Sequence, residues 1–224
     1  MKPFNKYIEH TLLKPDARSA EAEKIFMDAL KYDFCSVCVD GCYLPLAWEH
    51  LEGSGIMIAT VIGFPLGTMA SSSKAAEAWE ALDDGAEELD VMINVGALKD
   101  GRYDYLSSEI TLLSELCHKS NAVLKIILET CLLTKDEIIK GCEIAKMSGA
   151  DYIKTSTGFS TGGATIEDVR LIKEVVGDSV KIKASGGIRT LDFALELINA
   201  GADRLGTSAS VSIMEEYIAR EAAK

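Results

Sequence analysis

Long apolar runs are missing from this sequence of 224 residues. The longest, such as 56–62, are far too short to cross a bilayer, so no membrane partner is expected. The first residues, Met1-Lys2-Pro3-Phe4-Asn5, do not open the apolar segment of a secretory leader, which points to a cytoplasmic protein. Basic charge is also in short supply. With a formal net charge of −12 the chain has no basic stripe to neutralise phosphate backbones, which argues against nucleic acid. A small anion is still admissible, because a local positive pocket can sit inside an acidic shell.

Metal-ligating patterns are scarce too. The three histidines, His10, His50 and His118, include no pair at i, i+4. Cys35 and Cys38 lie three apart in an apolar run that reads as a strand, which sends them to opposite faces. No metal site is expected. The six cysteines read as reduced, mostly as small packing residues. No Gly-x-Gly-x-x-Gly follows an early strand, so a dinucleotide-binding domain is not indicated.

What is present is a regular alternation. Short β-rich runs at 9–13, 34–39, 56–62, 88–94, 123–129, 152–156, 180–184 and 204–207 alternate with helical stretches such as 71–84, 134–148 and 191–200. Repeated βα units predict a parallel sheet. Gly85-Ala86-Glu87, Gly149-Ala150-Asp151 and Gly201-Ala202-Asp203 recur before the fourth, sixth and eighth runs, where glycine suits a helix end. This repeat favours a closed (β/α)₈ barrel over an open sheet. No linker or low-complexity segment divides the chain, so residues 1–224 are expected to form a single barrel domain.

Strand side chains alternate between two faces, and several strands carry charge on one of them. Asp90 stands opposite Leu89 and Val91. Lys125 and Glu129 stand opposite Ile126 and Leu128. Lys154 shares a face with Tyr152 and Ser156, and Lys183 with Lys181. The aliphatic sets belong against the helices, so the charges must point into the barrel. Lys125 and Lys181 are expected to lie lower, paired with carboxylates such as Glu88 or Glu129. Lys154 and Lys183 fall near C-terminal strand ends, where barrel active sites lie. Two adjacent, partly desolvated ammonium groups depress one pKa and leave a neutral amine, which can form a Schiff base. Asp90 could then move protons through water. Alternation alone leaves the nucleophile open between Lys154 and Lys183.

Three glycine-bearing loops follow the last three strands: 157–165 with Gly158, 185–188 with Gly186 and Gly187, and 206–210 with Thr207 and Ser208. Their backbone N–H groups and adjoining helix N-termini predict an anion site, consistent with a phosphorylated carbonyl substrate.

The ordered blocks His10-Thr11-Leu12-Leu13-Lys14-Pro15-Asp16, Thr60-Val61-Ile62-Gly63-Phe64-Pro65-Leu66-Gly67, Leu89-Asp90-Val91-Met92-Ile93-Asn94-Val95-Gly96, Leu128-Glu129-Thr130, Lys154-Thr155-Ser156-Thr157-Gly158-Phe159 and Lys183-Ala184-Ser185-Gly186-Gly187-Ile188-Arg189 run nearly end to end. Together they make the chain similar to the deoxyribose-phosphate aldolase family, class I aldolases on a (β/α)₈ barrel. The resemblance implies reversible cleavage of 2-deoxy-D-ribose 5-phosphate to D-glyceraldehyde 3-phosphate and acetaldehyde, without metal or organic cofactor. It implies Lys154 as the Schiff-base nucleophile, Lys183 as the partner that lowers its pKa, and Asp90 as the proton-transfer residue. It implies Gly186, Gly187, Thr207 and Ser208 as phosphate contacts, and a homodimer or larger homo-oligomer. Cys38-Val39-Asp40-Gly41-Cys42 departs from the family's more usual Asn-Pro version, and 69–73 is also atypical. One family branch uses a C-terminal tyrosine; here the last aromatic is Tyr217, and that role is not carried over. The rival readings are a sugar-phosphate isomerase, for which Asp90 with His10 would be the acid–base pair, and a non-catalytic phosphosugar-binding barrel.

Overall fold

The computed structural model describes residues 2–223; Met1 and Lys224 lie outside the described residues. Eight parallel strands close in chain order into a barrel: β1 (Ile8–Leu12), β2 (Ser36–Val39), β3 (Met57–Ile62), β4 (Glu88–Met92), β5 (Val123–Ile127), β6 (Tyr152–Lys154), β7 (Lys181–Ser185) and β8 (Arg204–Thr207). Closure is made by β1 on β8, with Glu9 opposite Gly206 and His10 opposite Thr207. Around the strands lie α1 (Ser19–Tyr32), α2 (Leu44–Leu51), α3 (Ser71–Asp83), α4 (Val95–Lys99), α5 (Tyr103–Lys119), α6 (Lys135–Met147), α7 (Ile166–Val176), α8 (Leu191–Ala200) and α9 (Ser210–Ala222). The fold is the expected (β/α)₈ barrel.

The recurring Gly-Ala-acid triplet has a specific job. Gly85, Gly149 and Gly201 have φ of 96°, 92° and 119°, ending α3, α6 and α8 in a conformation that costs other residues a steric penalty. The following alanines are buried. The acids then turn to the neighbouring strand: Glu87 accepts from the N–H of Ile58 at 3.0 Å, Asp151 from Leu124 at 2.8 Å and Asp203 from Ile182 at 2.9 Å. Each triplet thus ends a helix and satisfies a donor at the bottom of β3, β5 or β7.

Leu89, Val91, Leu124, Ile126, Ile153 and Ile182 face the helices, fully or almost fully buried in the main apolar core. The inner face of these strands, with β1 and β8, holds Glu9, Glu88, Asp90, Lys125, Lys154, Lys183 and Arg204, all buried. Barrel interiors are usually packed with branched aliphatic layers; here the centre is ionic.

Three strands end two residues earlier than the β-rich runs suggested. The fourth stops at Met92 because the Asn94 side chain caps α4, accepting from the N–H of Ala97 at 2.9 Å. The fifth stops at Ile127, since Glu129 turns to φ 60°. The sixth stops at Lys154, where the chain leaves the sheet toward the 157–165 loop.

Candidate active site

Asp90 lies at the middle of the ionic centre, fully buried, and each of its carboxylate oxygens meets cations. Oδ1 accepts from Lys125 Nζ at 2.8 Å. Oδ2 accepts from Lys154 Nζ at 2.6 Å and also from Lys183 Nζ. Strand register brings these groups together: Asp90 is opposite Lys125, Ile127 opposite Lys154, and Lys154 opposite Lys183. Burial alone would raise the Asp90 carboxyl, but Lys125 and Lys154 outweigh it and hold the group below the ordinary carboxylate range.

Beneath lies a supporting ring. Lys125 also reaches Glu88 at 2.6 Å and Glu9 at 3.3 Å. Arg204 Nη1 reaches Ser36 Oγ at 2.7 Å, Glu88 at 3.1 Å and Glu9 at 3.2 Å. Glu9 in turn holds Lys183 Nζ. Glu9, Glu88 and Asp90 therefore face Lys125, Lys154, Lys183 and Arg204, one more cationic group than carboxylates. Desolvation penalises that surplus. The depression falls on Lys183, pushed well below the usual lysine range by burial and then by Arg204. Lys125 is displaced the other way, because Asp90 and Glu88 more than offset its burial. Gly206 makes room for this geometry: a Cβ there would stand 2.9 Å from Lys183 Cε.

Above the ionic centre a cavity of about 290 Å³ opens at the C-terminal end of the barrel. Lys154 and Lys183 form its floor, and Gly158, Gly186, Gly187, Thr207 and Ser208 line its side. Asp90 sits just below. The structure thus gathers Asp90, Lys154, Lys183, Gly158, Gly186, Gly187, Thr207 and Ser208 at one place. Lys14, Arg189 and half-exposed Phe159 add to the lining. The hydroxyl of Thr207 is already engaged, donating to Ile188 O at 2.7 Å and accepting from Ala209 N at 3.0 Å, so it ties the β7 and β8 loops together. On the opposite side an apolar cluster of Leu13, Cys38, Ala59 and Val61 packs against Phe64, whose ring lies 5.8 Å from Lys154 Nζ.

Several expectations need correction. Lys181 is exposed and meets the Tyr152 ring at 5.5 Å instead of a carboxylate, because it stands at the first position of β7. Glu129 is not a lysine partner. It follows β5 in a left-handed turn and accepts from Thr157 N at 3.2 Å and from the Thr157 hydroxyl, bracing the 157–165 loop. Tyr217 stacks on Phe4 at 4.5 Å and is absent from the cavity lining. Glu9 and Arg204 join the site only in the folded barrel: Glu9 is followed by His10 and Thr11 and Arg204 is preceded by Asp203, so neither stands between two aliphatic residues in the sequence. Glu9, Cys38 and Asp90 offer ligand atoms within 4.8 Å of one another. A divalent ion there would have to displace the lysines that both carboxylates already hold.

His10 does not approach Asp90. It occupies the outer face of β1, its ring 5.5 Å from Phe34 and its Nε2 3.8 Å from Asp28, with neither ring nitrogen hydrogen-bonded. Burial pushes its pKa down to about 4, against the pull of Asp28. In the unfolded chain the ring takes a proton near its ordinary 6.5, so between pH 6.5 and about 4 the unfolded state binds more protons. Unfolding free energy should fall by about 3 kcal/mol over that window from this group alone, then level off. Denaturant melts of the wild type and His10→Asn from pH 7 to 4 check this. Equal acid losses in the two proteins would remove His10 from the account.

The family model for DeoC/LacD family aldolases matches residues 6–213. The chain belongs to this aldolase family. Among its relatives, deoxyribose-phosphate aldolase from Finegoldia magna is 53% identical over 212 residues, covering 95% of this chain and 99% of that one. The enzyme of that name from Thermococcus gammatolerans is 51% identical, covering 94% of each chain. A solved structure described as an aldolase, QR15, superposes with a TM-score of 0.94 at 42% identity, covering 100% of this chain and 99% of that one. The tetrameric deoxyribose phosphate aldolase of Aeropyrum pernix superposes with a TM-score of 0.91 at 30% identity, covering 97% and 92%. A DeoC/LacD aldolase with an ionic barrel centre and a lysine-floored pocket is a catalyst for making or breaking carbon–carbon bonds.

Proposed function

We propose that this aldolase reversibly cleaves 2-deoxy-D-ribose 5-phosphate to D-glyceraldehyde 3-phosphate and acetaldehyde through a Schiff base on Lys154. The observation that carries the reading is that Lys154 and Lys183 donate to the same oxygen of Asp90 at the floor of the cavity. A lysine must lose a proton before it attacks a carbonyl. Lys183, pushed well below the usual lysine range by burial and then by Arg204, stands beside Lys154 on that shared oxygen.

In the synthetic direction Lys154 Nζ attacks acetaldehyde, and loss of water from the carbinolamine leaves an iminium. Asp90, through a water, removes a methyl proton, and the electron pair moves into the iminium to give an enamine. The enamine carbon attacks the aldehyde of the triose phosphate, whose oxygen takes up a proton. Water then releases the pentose and regenerates the amine. Cleavage reverses these steps. The two-carbon unit is assigned to the side of Lys154 where the Phe64 ring lies 5.8 Å from Nζ and packs on the small apolar cluster.

The phosphate belongs at the loops after β7 and β8. Here Gly186, Gly187 and Ser208 line the cavity beside the start of α9. The first turn of α9 has no acidic residue to compete for its positive end. Gly158 brings the β6 loop to the same wall, and Lys14 and Arg189 add positive charge to the lining. Small phosphorylated aldehydes as the substrates support a cytoplasmic setting, and the tetrameric Aeropyrum pernix neighbour supports a homo-oligomer.

Acetaldehyde with borohydride tests the mechanism. A reduced two-carbon adduct should map to Lys154 by peptide mass analysis; an adduct-free protein with intact isomerase activity would overturn it. The isomerase alternative is disfavoured by His10 and Asp90 lying on opposite faces of the strands. A second prediction concerns the phosphate wall. Gly163 lies so close to Gly186 that a Cβ on it would stand 2.3 Å from Gly186 O. Gly163→Ala should push the two loops apart and raise KM for the phosphorylated substrate about tenfold, leaving acetaldehyde-adduct formation nearly unchanged. Steady-state kinetics beside adduct yield checks this, and an unaltered KM would count against it.

A further inference from the structure

Outside the barrel, between α3 and α5, lies a second buried ion pair that the chemistry above does not use. Lys74 is fully buried and Glu109 nearly so, with Nζ and Oε1 2.7 Å apart. Every partner of the pair is fixed. Lys74 Nζ also donates to the carbonyl of Met92 at 2.8 Å, two residues beyond Asp90 at the end of β4. The other Glu109 oxygen accepts from Ser71 Oγ at 2.6 Å and Tyr105 OH at 3.2 Å.

The stem of Lys74 passes directly under the loop between β3 and α3. A Cβ on Gly63 would stand 2.9 Å from Lys74 Cε, so the loop rests on the lysine. Gly63 N donates to Glu77 at 2.7 Å, and its carbonyl accepts from Gly67 N at 2.7 Å. Gly67 in turn lies flat on the end of β4, where a Cβ would meet Ile93 O at 2.1 Å. The loop is therefore clamped between α3 and β4, and it carries Phe64 over Lys154.

We propose that the Lys74–Glu109 pair is a positioning device for the reaction, holding the β3–α3 loop against β4 so that Phe64 forms the wall of the two-carbon site. Fold stability alone does not call for such a pair. Desolvating two charges costs several kcal/mol, and apolar residues of similar volume often serve as well or better. An ion pair that grips a strand-end carbonyl and supports a glycine loop sets a distance that an apolar pair would leave loose.

The inference rests on the aldolase reading, and its test separates the two. The double variant Lys74→Met/Glu109→Leu replaces both charges and leaves neither orphaned. In the synthetic direction its KM for acetaldehyde should rise about tenfold, while KM for D-glyceraldehyde 3-phosphate stays within about twofold and the melting temperature is not lowered. The inference is overturned by a double variant with both KM values unchanged, with both raised together, or unable to fold, since each assigns the pair no role beyond stability. Absence of any acetaldehyde adduct in the unaltered protein would instead sink the aldolase mechanism itself.

Discussion

Lys154→Ala is expected to lower kcat for cleavage of deoxyribose 5-phosphate by at least about 10⁴-fold, because losing a covalent nucleophile removes the whole imine pathway. The protein should remain folded. Asp90 keeps Lys125 and Lys183 as partners, so no carboxylate is left buried and unpaired. Lys183 is a poor substitute, since Glu9 and Asp90 hold its Nζ and its stem fills the space beside Gly206. Borohydride trapping with acetaldehyde should yield no adduct on any other lysine in the pocket. Retention of activity within about tenfold of the unaltered enzyme would end the claim that Lys154 is the nucleophile.

Asp90→Asn should separate the steps. The amide cannot take the methyl proton, so turnover is expected to fall about 10²- to 10⁴-fold. Iminium formation needs no base at that carbon, so the adduct should still be trapped at Lys154. Exchange of the acetaldehyde methyl hydrogens with deuterated water, followed by NMR, should be lost in parallel with turnover. The same change removes the carboxylate that three lysines share, and leaving buried cations uncompensated costs about 3–5 kcal/mol. Stability is therefore measured alongside, by denaturant melts at neutral pH. Methyl exchange at the wild-type rate would show that another group moves the proton.

Much of this site is written locally. A charge flanked by aliphatic residues in a strand points inward whatever the rest of the chain does, which is why Asp90, Lys125, Lys154 and Lys183 could be placed on the inner face from alternation. The loops with Gly158, Gly186 and Gly187 announce themselves by composition. The Gly-Ala-acid triplets mark three helix ends, although the reach of Glu87, Asp151 and Asp203 to the neighbouring strand shows only once the strands are side by side. Glu129 misled, because its turn to φ 60° takes it off the strand and toward Thr157. Lys181 misled for a different reason. It obeys alternation but sits at the open lower rim, where its amine finds solvent and the Tyr152 ring.

By itself, then, the order of residues determined a barrel of βα units, an inward set of charges and a glycine-bearing rim, because each follows from periodicities of two to four residues and from glycine's freedom at turns. Only the closed sheet decided which charges meet. Barrel closure sets Glu9 of β1 beside Arg204 and Lys183, from strands at the far end of the chain, and register puts Lys154 and Lys183 on one oxygen of Asp90. Which amine is most depressed depends on summed distances and desolvation among groups far apart in the chain, and those quantities exist only once the chain has folded.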